Sequence, residues 1–336
     1  MPFCSVVVPH ARAGARPGSP VSLFLAKRFV TFLATLLGAT VLTFLALEIL
    51  PGDPALVILG NDAPESAILA LRLELGLDRP ALARYLDWLR DLLTGASPNS
   101  YTYKVPVAEL IEERLAITVP LALFAMALSI AFALPLGIYA AQHHNKTADV
   151  AVMSASQIGI SVPNFWLAIL LVLLFAVNLR GFAAGGFPGW SAGIGPALKA
   201  LLLPAIALAT VQGAILARFV RSAILDTMRE DYVRTARAKG LSRRATMWRH
   251  VLRNALIPVI TIAGLQFANL MAGTIVVENV FALPGLGRLL LQSITNRDLV
   301  VVRDIVVLIA AMVVVINFIV DLLYAAIDPR LRPHDV

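Results

Sequence analysis

Asp231-Tyr-Val-Arg-Thr-Ala-Arg-Ala-Lys-Gly240 sits in the middle of a 37-residue polar interval, 218–254, that separates two apolar runs. The interval holds ten basic residues, Arg218, Arg221, Arg229, Arg234, Arg237, Lys239, Arg243, Arg244, Arg249 and Arg253, against Asp226, Glu230 and Asp231. Long apolar runs interrupted by so basic a stretch describe an all-α chain that crosses a membrane several times. Composition agrees: the 336 residues are 59% hydrophobic and 15% charged, with a mean hydropathy of +0.81. A net charge of +7 also suits nucleic-acid binding. However, basic patches of that kind normally sit on a soluble fold beside stacking aromatics, so no nucleic-acid partner is expected. Cys4 is the one cysteine, which excludes an intramolecular disulfide and a thiol-rich metal cluster.

Working outward, six stretches reach the roughly 20 residues a helix needs to cross a hydrocarbon core: 30–50, 118–141, 150–177, 200–217, 255–277 and 305–327. If the N-terminus, 142–149, 218–254 and the C-terminus share one face, that face carries 17 basic and 6 acidic residues; the opposite face, 51–117, 178–199 and 278–304, carries 11 and 13. The positive-inside rule then places both termini and the 218–254 loop in the cytoplasm.

The expected organisation is a disordered tail over 1–22, a first transmembrane helix over 23–50 and a small helical extracytoplasmic segment over 51–117. A core of five more transmembrane helices follows over 118–327, including the 218–254 loop, and then a cytoplasmic tail over 328–336. The run from Val30 is about twice the length of a signal-peptide h-region, so it is read as a retained span. In the outer segment, Leu69, Leu71, Leu73 and Leu75 belong to one helix and Leu82, Tyr85, Leu86 and Leu89 to a second, on a surface acidic enough to be a solvated cap or a receptor contact. Pro120, Pro135 and Pro163 permit kinks where neighbours or a cavity satisfy the freed carbonyls. Pro284-Gly285 marks a turn, and 287–292 a short amphipathic helix at the outer interface or mouth. Asp321, near the cytoplasmic end of the last span, is expected to pair with a loop arginine.

Within the basic interval, Tyr232, Val233, Ala236 and Gly240 fall on one narrow helical face of small or apolar groups, flanked by Arg229, Arg234, Arg237 and Lys239. Gly240 permits a left-handed closure, and Ser242 can cap the next helix. Such a ridge would let another protein's groove approach closely, while the cations meet acidic partners. His143-His144 lacks helical metal-site spacing, the glycines of 181–195 lack the lysine of a phosphate-binding loop, and no His-Glu-x-x-His or Gly-x-Ser-x-Gly occurs. No metal or catalytic residue is therefore expected, and an intramembrane enzyme or a passive channel is disfavoured. Gln157, Ser161, Asn164, Gln266 and Asn269 are the uncharged polar groups that could line a path or join helices.

At 231–240 the chain resembles the inner-membrane permease subunits of ABC importers, in the branch that handles dipeptides, oligopeptides and nickel. Arg234-Thr235-Ala236 and Gly240 stand where such permeases carry a Glu-Ala-Ala signature and its glycine; the Glu and first Ala are absent here. Arg249-His-Val-Leu-Arg-Asn-Ala-Leu-Ile-Pro258 continues the likeness, with Arg253 where many relatives have proline. Leu50-Pro-Gly-Asp-Pro54, Leu75-Gly-Leu-Asp78, Val162-Pro-Asn-Phe-Trp166, Leu283-Pro-Gly-Leu-Gly287 and Asp328-Pro-Arg330 are similar too, whereas Thr94–Ser100 departs from the usual Gly-Asp-Leu-Gly-like turn.

The resemblance implies a type I ABC importer permease fold in the bacterial inner membrane. It implies a second homologous permease subunit, two cytoplasmic ATPases that use ATP and Mg, and an extracytoplasmic solute-binding protein; no cofactor is bound by this chain itself. The ATPase-coupling helix would comprise Asp231, Tyr232, Arg234, Thr235, Ala236, Arg237, Ala238, Lys239 and Gly240. Peptides are the expected cargo, with nickel complexes, opines or glutathione-like solutes as the alternative.

Overall fold

The computed structural model describes residues 21–49, 54–60, 63–74 and 76–327. The N-terminal tail, all of Leu50-Pro-Gly-Asp-Pro54 but its last proline, Leu75, and the C-terminal tail with Asp328-Pro-Arg330 lie outside these residues. Among the described residues the chain is helical without strands.

The first span, α1 (Val21–Ile49), packs along the last, α13 (Leu299–Ile327). Phe32 meets Phe318 at 5.0 Å between ring centroids, and Arg28 holds Asp321 at 3.1 Å. The acid in the last span is thus neutralised by an arginine of the first helix, not of a loop. A charge inside a span is costly unless paired, and two neighbouring helices supply the pair at one level.

Three short helices follow: α2 (Pro54–Leu59), α3 (Glu65–Glu74) and α4 (Ala81–Thr94). α4 ends at Gly95 in the left-handed region, φ 73°. It is fastened to the bundle on two sides. Tyr85 Oη and Thr40 Oγ1 of α1 share a hydrogen bond of 2.9 Å, and Trp88 Nε1 donates to Asp304 Oδ1 of α13 at 2.9 Å, with the Arg303 guanidinium 4.6 Å above the Trp88 ring. The atypical Thr94–Ser100 turn has a structural use: Ser97 Oγ accepts the Ala108 N–H at 2.7 Å, capping the next helix.

That helix, α5 (Val107–Gln142), begins inside the segment expected to be extramembranous and runs unbroken through Pro120 and Pro135. α8 (Ile194–Met228) packs against it. Small residues set the spacing: a Cβ on Gly137 would stand 2.6 Å from Val220 Cγ1, and Gly213 lies against the Ser129 backbone. Close approach between small residues is how helices gain contact in a medium as apolar as their side chains.

The third apolar run is not a straight span. α6 (Thr147–Ser161) and α7 (Asn164–Leu171), which continues as a π-helical stretch to Asn178, meet at 96°. Val162 is extended (φ −83°, ψ 120°), as the residue before a proline prefers to be, and Pro163 has no N–H to continue the helix. Five helices are long and apolar enough to cross a membrane, or six if the bent pair counts as one crossing.

The polar interval also shrinks. α8 runs on to Met228, and α10 (Arg243–Thr246) leads through a π turn into α11 (Leu252–Val280), leaving only 229–242 outside the long helices, with α9 (Asp231–Ala238) inside that gap. Most of the ten basic residues therefore decorate span ends rather than a free loop.

At the far end of α11, α12 (Leu286–Thr295) is packed into the bundle, with Leu286, Leu289 and Leu290 buried among Val107, Val301 and Ile305. Its apolar face is thus covered by α5 and α13.

Candidate functional site

α9 is short, yet each end is fixed. At its C-terminus the Leu241 N–H bonds the Ala236 carbonyl at 3.3 Å and the Gly240 N–H bonds the Arg237 carbonyl at 3.0 Å. This is the paired closure that requires a left-handed residue, and Gly240 has φ 89°. Ser242 Oγ accepts the Ala245 N–H at 3.2 Å, opening α10. Asn254 Nδ2 donates to Tyr232 Oη at 2.8 Å, tying α9 to the start of α11.

The narrow apolar face points opposite to the sequence expectation. Val233 is 0% and Ala236 7% exposed, and Val233 packs in a cluster with Ile224, Met247 and Val251. The small residues join α9 to the ends of α8 and α11 instead of forming a ridge for a partner. Burying them removes apolar area from water and makes α9 part of the bundle. The other side remains open: Asp231, Tyr232, Arg234, Thr235, Arg237, Ala238, Lys239 and Gly240 are all exposed. A Cβ at Gly240 would meet nothing within 4 Å, so the glycine is needed for its backbone and not for close contact within this chain.

The arginines separate into two groups. Arg221 binds Asp149 of α6 through both ends of its fork, Nε to Oδ1 at 2.5 Å and Nη2 to Oδ2 at 2.7 Å. Asp149 also accepts the Asn145 N–H at 3.0 Å, and His144 Nδ1 lies 3.3 Å away. Arg218 donates to Gln157 Oε1 at 2.9 Å. Arg234 reaches Asp231 at 3.5 Å on an open surface. Arg237, Arg243 and Arg244, in contrast, line one cavity of about 1070 Å³ between the last turns of α5 and the α10–α11 start.

The five polar candidates for a path are not gathered together. Gln157 lines an open groove between α6 and α8 with Arg218, Arg221 and Ser222. Ser161, one turn on, donates back to the Gln157 carbonyl at 2.9 Å. Asn164 opens α7 beside Gly273 of α11, with its Oδ1 buried and unpartnered. Gln266 is buried with both amide atoms unpartnered, whereas Asn269 is exposed. No group of three or more His, Cys, Asp or Glu that could hold a metal occurs among the described residues.

Known proteins resemble this chain. Residues 133–333 match the model of the binding-protein-dependent transport system inner membrane component, and residues 21–122 match the N-terminal model of the same kind of membrane component. The chain belongs to this family. It is 42% identical over 313 residues to a putative peptide transport system permease protein of Brucella abortus, covering 91% of this chain and 98% of that one. It is 36% identical to a probable peptide ABC transporter permease protein of Sinorhizobium fredii (93% and 100% covered), and 40% identical to the glutathione transport system permease protein GsiC of Salmonella typhimurium (92% and 98%). The inward-facing MetNI methionine ABC transporter superposes with a TM-score of 0.54 at 18% identity, covering 65% of this chain and 96% of that one, which establishes a shared fold.

Two features of this permease escaped sequence reasoning. Glu278, in the last turn of α11, is fully buried; it accepts the Thr118 hydroxyl at 2.6 Å and the Gly287 N–H at 2.7 Å, and Thr118 Oγ1 accepts the Leu286 N–H at 2.9 Å. A side chain on Gly285 would collide with this carboxylate, and one on Gly287 with Ile275 and the carboxylate. The Leu283-Pro-Gly-Leu-Gly287 motif is thus the socket for a buried acid that caps α12, a favourable position for negative charge. Asp298 is the second: fully buried, it accepts Ser100 Oγ at 2.5 Å and the Thr102 N–H at 2.9 Å, pinning the 98–106 loop. The available signal was an acid closing an apolar run ahead of paired glycines.

Proposed function

We propose that this chain forms half of the translocation pathway of an ATP-driven importer for dipeptides or oligopeptides, and that ATPase motion enters it through α9. The observation that carries this reading is a short helix whose inner face is locked into the bundle by Val233 and Ala236 while its outer face stays open. A load applied to Asp231, Tyr232, Arg234, Thr235, Ala236, Arg237, Ala238, Lys239 and Gly240 would move the ends of α8 and α11 with it, because packed elements shift as bodies and do not deform continuously. Gly240 supplies the tight exit that keeps the lever short.

The assembly contains a second homologous permease, two ATPases that use ATP and Mg on the cytoplasmic side, and an extracytoplasmic solute-binding protein. This chain binds no cofactor of its own. The membrane is the inner membrane, with both termini and α9 cytoplasmic; the excess of basic residues at the α9 end supports that orientation. Gln157, Ser161, Asn164, Gln266 and Asn269 are the candidates for wetting the path. Peptide cargo is supported by the Brucella and Sinorhizobium relatives. The similarity to GsiC favours a glutathione-like tripeptide as the second reading.

Reconstitution of the complete transporter in liposomes, with uptake of a labelled dipeptide, a longer peptide, glutathione and Ni²⁺ measured side by side, tests cargo and coupling together. ATP-dependent peptide uptake is expected, with no flux through this chain reconstituted alone. Nickel-only uptake would overturn the cargo, and solute flux through the lone chain would overturn the coupled mechanism.

A further inference from the structure

The cavity at the α9 end is built like an amphiphile's binding site. Its less exposed lining is apolar: Leu134 and Ile138 come from α5, a helix long and apolar enough to cross a membrane, and Leu252 and Leu256 from α11. Its rim is cationic, with Arg237, Arg243 and Arg244. All three are exposed, and none makes a side-chain hydrogen bond or ion pair with the described residues; Arg229, Lys239, Arg249 and Arg253 are equally without such a bond but do not line the cavity. No carboxylate lines the cavity. Tyr139 and Trp248 stand half-exposed on its two sides, the kind of residue that settles at the level of lipid headgroups.

We propose that this cavity binds an anionic phospholipid, with the phosphate held by Arg243, Arg244 and Arg237 and an acyl chain lying against Leu134, Ile138 and Leu252. Guanidinium groups bind phosphate oxygens through paired hydrogen bonds, and basic pockets between transmembrane helices suit acidic headgroups. An acidic protein surface would satisfy the rim but leave the apolar floor hydrated beside hydrocarbon, which favours lipid. Since Arg237 belongs to α9, a bound lipid would bridge α9 and the α5 end, so membrane composition would bear on the lever itself.

The test uses the complete transporter in nanodiscs of phosphatidylcholine with phosphatidylglycerol added, followed by detergent washing and native mass spectrometry. Wild type is expected to retain phosphatidylglycerol in preference to phosphatidylcholine. Arg243→Gln/Arg244→Gln should weaken retention by about fivefold for each arginine removed. Arg243→Lys/Arg244→Lys should keep most of it. Arg249→Gln/Arg253→Gln, which removes two exposed charges outside the cavity, should keep all of it. Equal retention of the two lipids by wild type, or equal losses in the two Gln pairs, would overturn the site. So would release of the ATPases from Arg243→Gln/Arg244→Gln in phosphatidylcholine alone, since the rim would then be a protein contact.

Discussion

The two ends of the bundle treat their charges in opposite ways. At the α12 end, Glu278 and Asp298 are fully buried and each is surrounded by donors from this chain: a threonine hydroxyl and α12 N–H groups for one, a serine hydroxyl and a loop N–H for the other. At the α9 end, Asp149 with Arg221 is an internally completed pair, while Arg237, Arg243 and Arg244 have no side-chain hydrogen bond or ion pair among the described residues. A buried charge without partners costs several kcal/mol, so Glu278 and Asp298 sit where this chain completes their hydrogen bonds. An exposed guanidinium costs little to leave free, so the second end can be completed by something else. The buried acids hold shape, and the exposed arginines are left to be acted upon.

Breaking that contrast should have its largest effect at Glu278. Glu278→Ala strands the Thr118 hydroxyl and the Gly287 N–H, and a loss of about 1–3 kcal/mol for each stranded group should appear as failure to accumulate in the membrane or a strongly lowered Tm in detergent. Gly285→Val should approach the same outcome by forcing the carboxylate out of its socket.

Asp298→Ala is expected to cost about 1–3 kcal/mol and to expose the 98–106 loop to proteolysis first, read by limited digestion and mass spectrometry. A cleavage pattern unchanged from wild type would remove the claim that this carboxylate pins the loop.

Asp149→Asn comes next. It weakens a forked ion pair whose aspartate is 4% and whose arginine is 22% exposed, and about 1–3 kcal/mol is expected for a charge-assisted hydrogen-bond set. The matching Arg221→Gln variant should cost a similar amount, and the double variant less than the sum of the two.

The smallest effect on stability, and the largest on transport, is expected at Gly240. Its Cβ would point into open space, so Gly240→Val pays only the left-handed backbone penalty of roughly 1–2 kcal/mol. Membrane insertion should persist while ATP-dependent uptake fails. Normal uptake in this variant would refute α9 as the coupling point. If stability collapsed instead, the α9 end would be as much a finished structure as the α12 end.

Much of this architecture was legible in the chain. Apolar length placed six membrane segments, because a span must bury about twenty residues and satisfy its own backbone. Gly240 and Ser242 announced their roles, since left-handed closure and N-capping are local chemistry. Pro163 announced a break, though not that it would turn the chain by 96°. Hydropathy failed at the edges: α5 starts at Val107 and α8 runs to Met228, because a helix does not stop where its residues become polar unless something caps or breaks it. The inward turn of Val233 and Ala236 was equally hidden. A small apolar face must be covered, but periodicity does not say by whom.

By itself the sequence determined an all-helical membrane chain, the position of α9, its closure at Gly240 and the Ser242 cap of α10, all consequences of composition and short-range backbone preference. Only the tertiary structure decided which arginines were already used. Arg221 lies 72 residues from Asp149 and Asp321 far along the chain from Arg28, and no local rule brings such partners together. Charge pairing depends on distance in space, falling off as separation grows. Which cations this permease keeps for itself, and which it leaves for a lipid or a partner, is therefore settled by packing alone.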